Sequence, residues 1–104
     1  MKIVIPSSSN SMDSLMDERF GRAKYFCIYD TDTDEYSFIE NTWLGQQHGV
    51  GVRTSSVIAE KDVSMVIAPN IGPKAGDILR ESGIDVRTSE VKPLKQIIEE
   101  HRND

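Results

Sequence analysis

Two short apolar runs constrain the fold of this chain more than any other feature. Ile3-Val4-Ile5 and Met65-Val66-Ile67-Ala68 are unbroken by any polar residue. A strand with one wet face alternates apolar and polar residues, whereas a strand covered on both faces reads as a continuous hydrophobic stretch. Both runs fall far short of the roughly 18 residues that a membrane-spanning helix needs. They therefore predict buried strands with material packed above and below the sheet. A chain of 104 residues has room for one such core, so a single domain over 1–104 is expected.

The other segments supply the covering layers. Tyr25 to Asp30 and Tyr36 to Asn41 are aromatic-rich strand candidates, joined by Thr31-Asp32-Thr33-Asp34 in the manner of a hairpin. Val50, Thr54, Val57 and Ile58 keep helical spacing up to about Lys61. Gly72-Pro73 opens a second helix with Ala75, Ile78 and Leu79 as its inner stripe, and Gly83 is placed to end it. Ile84 to Arg87 is a short strand, and Pro93 starts a last helix with Leu94, Ile97, Ile98 and His101 on one side. With the first strand central and the fourth beside it, the sheet order is 3-2-1-4-5 and only the second strand is antiparallel. Right-handed crossovers then put two helices on one face and leave the last helix for the other. The expected fold is a three-layer α/β/α domain on a mixed five-stranded sheet. Between Pro6 and Arg22 a Ser-, Asn- and Asp-rich segment lacks periodicity. Within it, Ser14-Leu15-Met16-Asp17 has the pattern of a capping box that opens one helical turn, ended by Gly21. Loops of this length in small domains are functional or mobile.

Charge narrows the function classes. Twelve basic residues against 17 acidic ones give a net charge of −5, which argues against nucleic acid and against an anionic membrane as partners. A single cysteine, Cys27, excludes an intrachain disulfide and points to the reducing cytoplasm. The strand-like run begins at the second residue, so no signal peptide is expected.

In open α/β sheets, ligands bind beyond the carboxyl ends of the parallel strands. That end collects Ser7 to Asn10, Asn41 to Gly49, Asn70-Ile71-Gly72 and Thr88-Ser89. The second strand runs the other way, so its entry, Glu18-Arg19-Phe20-Gly21-Arg22, lies at the same rim. His48-Gly49-Val50-Gly51 leads straight into a helix. Glycines there admit a ligand close to the backbone, and free N–H groups with the helix dipole favour an anion. The same positive end keeps His48 neutral, the state a metal ligand requires. The bland alternative is a glycine-eased loop with a surface histidine. Asn70-Ile71-Gly72-Pro73-Lys74 repeats the anion-binding logic, or is a tight turn whose asparagine bonds its own backbone.

Other candidates are weaker. Cys27 alternates with Tyr25 and Tyr29, which suits an inert buried thiol and makes it an unlikely metal ligand. Asp30, Asp32 and Asp34 imitate the start of a calcium loop, but Glu35 and Asn41 stand where that loop needs Gly and Glu, so an acidic hairpin tip is expected. Met12 and Met16 read as loop anchors, Trp43 as a lid or an edge cover, and His101 as packing with a wet edge. There is no P-loop, dinucleotide glycine fingerprint, Cys-x-x-Cys pair or nucleophile triad.

Four ordered motifs, Glu18-Arg19-Phe20-Gly21-Arg22-Ala23, the following Tyr-Phe-x-x-x-Asp strand, His48-Gly49-Val50-Gly51 and Asn70-Ile71-Gly72-Pro73-Lys74, resemble the dinitrogenase iron–molybdenum cofactor biosynthesis family. The resemblance runs from Lys2 to about Ile98. It implies a ribonuclease H-like fold and, for some members, binding of an iron–sulfur or iron–molybdenum-type cluster. It makes His48 the candidate cluster ligand and Arg19 and Arg22 candidate partners of an anionic cluster or its organic acid. Phe20, Gly21, Gly49, Gly51, Asn70 and Gly72 complete the expected cofactor-binding rim. Two positions depart from the usual pattern: Asp17 replaces a small hydroxyl residue, and Pro69 replaces a glycine.

The leading expectation is a non-enzymatic cytoplasmic carrier for such a metal cofactor, working with donor and acceptor proteins. The alternative is a module that senses a small anionic ligand or nucleotide through the same helix ends. A metal-dependent nuclease is remote, because the central strand Lys2-Ile3-Val4-Ile5-Pro6 carries no carboxylate to hold the two metals that chemistry uses.

Overall fold

The computed structural model describes residues 1–42 and 50–102. Its strands are β1 (Lys2–Ser7), β2 (Tyr25–Asp30), β3 (Glu35–Glu40), β4 (Met65–Ala68) and β5 (Asp85–Thr88), and its helices are α1 (Val50–Ala59), α2 (Pro73–Glu81) and α3 (Leu94–His101). The sheet order is β3-β2-β1-β4-β5. β2 is antiparallel to both β1 and β3, while β1, β4 and β5 are parallel. This is the mixed sheet that the two apolar runs demand: β1 from Ile3 onward and all of β4 are buried.

Alternation along the strands divides the core into two halves. Val4, Phe26 and Val66 face α1 and α2, where Ile58, Ala75 and Leu79 meet them. Ile3, Ile5, Cys27, Tyr29, Met65 and Ile67 face α3 and its Leu94, Ile97 and Ile98. Each fully buried large aliphatic or aromatic side chain contributes about 1.5–3 kcal/mol, so neither half is dispensable. Gly83 ends α2 as expected. Its φ of 80° is left-handed, and the Ile84 N–H reaches back to the Leu79 carbonyl at 3.0 Å, a closure that favours glycine.

The capping box at Ser14–Asp17 does not open a helical turn. This stretch is extended instead, with bridges Ser7↔Met16 and Leu15↔Pro93. Met16 donates its N–H to Lys92, and Leu94 donates to Ser14, both at 3.0 Å. Backbone partners far along the chain outcompete the local cap. Met16 is buried among the α3-facing residues and Met12 packs against them, so both methionines anchor the segment.

Candidate functional site

The N-termini of α1 and α2 lie side by side beyond the carboxyl ends of β1 and β4. A β-carbon placed on Gly51 would sit 3.8 Å from that of Ala75. The Ser55 hydroxyl, fully buried, lies 2.9 Å from the Gly51 carbonyl and 3.1 Å from the Ala75 carbonyl, tying the two helices together. Opposite them stands the 18–21 segment. Phe20 is buried and packs edge-on against Phe26 with centroids 5.7 Å apart. Asn41 clamps the same segment from below: its side-chain amide donates to the Gly21 carbonyl at 3.2 Å and to that of Ala23 at 2.8 Å. Thr54 adds a bond from its hydroxyl to the Gly21 carbonyl at 3.2 Å. Between the clamped segment and the helix ends lies an open depression of about 710 Å³.

Its charge is mainly positive. Neither helix has an acidic residue in its first turn, and among the described residues no side chain caps α2. The positive end of the α2 dipole is left for an outside group. Lys74 and Arg19 add positive charge at the wall, against the one carboxylate of Glu18. Arg19 is partly restrained by Asp17, whose carboxylate accepts the Arg19 backbone N–H at 2.8 Å and lies 3.5 Å from its Nε. Gly72 stands at the N-cap of α2 with φ −62° and ψ 156°, a conformation open to any residue. A β-carbon there would meet no atom of the described residues within 4 Å. Nothing among them requires glycine at this position; its bareness keeps the α2 backbone approachable.

The sequence matches the family described as dinitrogenase iron-molybdenum cofactor over residues 1–104. The chain belongs to that family. An uncharacterised protein of Methanocaldococcus jannaschii is 35% identical over 101 residues, covering 94% of this chain and 82% of the relative. Among solved structures, the apo form of the orange protein from Desulfovibrio gigas superposes with a TM-score of 0.89 at 27% identity, covering 96% of this chain and 85% of that one. A Thermotoga protein provisionally assigned to NifB superposes with a TM-score of 0.81 at 33% identity, covering 97% and 89%.

The residues singled out in the sequence fall in three groups. Arg19, Phe20, Gly21, Gly51, Asn70 and Gly72 all line the depression. Arg22 does not; it lines a neighbouring depression with Ser8, Asp17, Arg19 and Lys24. His48, Gly49 and Trp43 lie outside the described residues. Cys27 is fully buried on the α3 side of the sheet, away from the depression, and burial pushes its thiol up to about 12. At neutral pH it holds its proton and supplies no thiolate. His101 sits at the end of α3, its Nδ1 2.9 Å from the Ile97 carbonyl. Among the described residues, no group of three or more His, Cys, Asp or Glu could hold a metal ion. None of the helices described is long and apolar enough to cross a membrane.

Asn41, Thr54 and Ser55 were not legible as site residues. Thr54 fits the apolar stripe of α1 by spacing, but the bond its hydroxyl makes to Gly21 leaves no mark in the sequence. Asn41 opens the polar segment at the rim, and only the fold shows that its amide is buried and clamps the 21–23 backbone.

Proposed function

We propose that the chain is a non-enzymatic carrier that holds a preformed iron–sulfur-type or iron–molybdenum-related cluster as cargo in the depression between α1, α2 and the 18–21 segment. The observation that carries this reading is the bare α2 cap: nothing among the described residues requires glycine at Gly72, at the mouth of a depression where the N-termini of α1 and α2 converge. Such a cradle suits an anionic group that brings most of its own ligands, because backbone N–H groups and cations hold charge without bonding metal. A bare metal ion would need a cage of side-chain ligands, and none is present among the described residues. Loose holding fits a carrier, which must release what it binds. The family description and an orange protein solved in its apo form, a term that presupposes a bound one, support a cofactor as the cargo.

His48, two residues ahead of α1 in sequence, is the side chain assigned to bond the cluster. Anaerobic transfer from a low-molecular-weight donor to wild type, His48→Ala and His101→Ala tests it, with thermal melts as a folding control. His48→Ala should retain cluster at least roughly tenfold less well, about 1.4 kcal/mol, and His101→Ala should behave as wild type. Uptake by none of the three, with stoichiometric binding of phosphate or a nucleotide instead, would replace the carrier by the sensing module.

A further inference from the structure

Ion pairs and neighbouring carboxylates together distinguish one surface. Arg19, Arg80, Arg87, Lys92, Lys95 and Arg102 each pair with a carboxylate. Among the described residues six basic side chains make no such pair, and four of them are Arg22, Lys24, Arg53 and Lys74; the other two, Lys2 and Lys61, line a depression at the opposite end whose wall also holds Asp30, Glu35 and Glu60. The first four all stand at the carboxyl rim: Arg22 and Lys24 on the approach to β2, Arg53 in the first turn of α1, and Lys74 at the start of α2. Lys74 serves the cargo depression, but Arg22 and Lys24 do not reach it. They line the neighbouring open depression of about 500 Å³ with Ser8 and Arg19, where Asp17, already engaged with Arg19, is the one carboxylate lining it.

We propose that this cationic arc, centred on Arg22 and Lys24, is the docking surface for an acidic protein partner that delivers or receives the cargo. The inference rests on the carrier reading above. A net charge of −5 repels an acidic partner over most of the molecule, so an unneutralised positive arc beside the depression both steers the encounter and fixes its orientation. Arginine and lysine side chains this exposed gain little from one small anion, but several carboxylates on a facing protein engage them together.

The test titrates the 15N-labelled chain with a deca-glutamate peptide, and separately with a single-stranded oligothymidylate of equal charge. Peptide shifts should cluster at Ser8, Arg19, Arg22 and Lys24, and affinity should fall at least about tenfold as ionic strength rises from about 0.01 to 0.15 M. Arg22→Glu/Lys24→Glu should lose affinity at least tenfold, while Lys61→Glu/Arg80→Glu, the same charge change away from the rim, should bind like wild type. Shifts elsewhere, equal loss in the two double variants, or tighter binding of the oligonucleotide would overturn the proposal. Lys24→Glu should also take up cluster from a low-molecular-weight donor like wild type; a loss there would assign the arc to the cargo itself. Failure of wild type to take up cluster overturns the carrier reading alone, since the peptide titration reads the surface independently.

Discussion

At the amino end of β1 the β2–β3 hairpin tip closes on charges from its own chain. The Met1 ammonium lies 2.8 Å from Asp32 and 3.7 Å from Asp30. Asp34, at a left-handed φ of 58°, accepts the Tyr29 hydroxyl at 2.6 Å and the Arg102 Nε at 3.1 Å. Every carboxylate that imitates a calcium loop there has an internal partner. At the opposite end, the rim, Arg22, Lys24, Arg53 and Lys74 make no ion pair among the described residues, and no side chain caps α2. Both regions read in sequence as polar, Asp- and Ser-rich punctuation. Charges that hold the fold are consumed within it, whereas charges kept for an outside group are recognisable because the fold leaves them over.

Substitutions can break or sharpen this contrast. The largest effect is expected from Phe20→Ala, which removes the aromatic anchor of the rim and should cost about 3–5 kcal/mol in denaturant unfolding. A rim that lost less than 1 kcal/mol would mean that the segment is not held by its core contact. Asn41→Ala should cost about 1–3 kcal/mol, because the Gly21 and Ala23 carbonyls lose a buried donor. It should also weaken cluster retention by loosening the depression wall, which a melt combined with a transfer assay would read.

At the tip the expected signature is a pH dependence. The Tyr29 hydroxyl first, and the Arg102 charge after it, hold the Asp34 carboxyl below its usual range. A depressed carboxyl stabilises the fold above its unfolded-state pKa, and that contribution disappears as pH falls through the folded-state value. Tyr29→Phe should therefore be less stable than wild type near neutrality, and the gap should close in acid. A gap that stayed constant down to about pH 2 would show that the hydroxyl acts through packing rather than through Asp34. The smallest stability effect belongs to Gly72→Ala. Its poorer N-cap and its stiffer unfolded chain offset each other to within about 0.5 kcal/mol. Cluster uptake should nevertheless drop, because the new methyl occupies the mouth. Uptake equal to wild type would remove the main support for the cradle.

The fold was legible because its determinants are periodic and local. The unbroken Ile3–Ile5 and Met65–Ala68 runs specify two-sided burial, and handedness then leaves few topologies. The rim was legible at the level of segments, since strand direction dictates which loops meet. Individual partners were not. The pattern at Ser14 predicts a cap, yet its backbone pairs with residues around Pro93, and no local signal announces a contact so distant in sequence. Arg22 shares a motif with Arg19, yet Arg19 lines both depressions and Arg22 only the neighbouring one, because the chain turns into β2 between them and the sheet.

The central place of β1 also shapes how the chain is made. β2 covers one edge of β1 as soon as the hairpin leaves the ribosome, but the other edge must wait for Met65 to pair with Ile3. Throughout that interval Ile3, Val4 and Ile5 present an open apolar strand with neither face covered, the condition in which nascent chains aggregate. α3 closes the second face only after every strand of the sheet has been made, since it follows β5 in the chain. The longer a growing chain pauses before Met65, the longer that strand stays open to association with another chain.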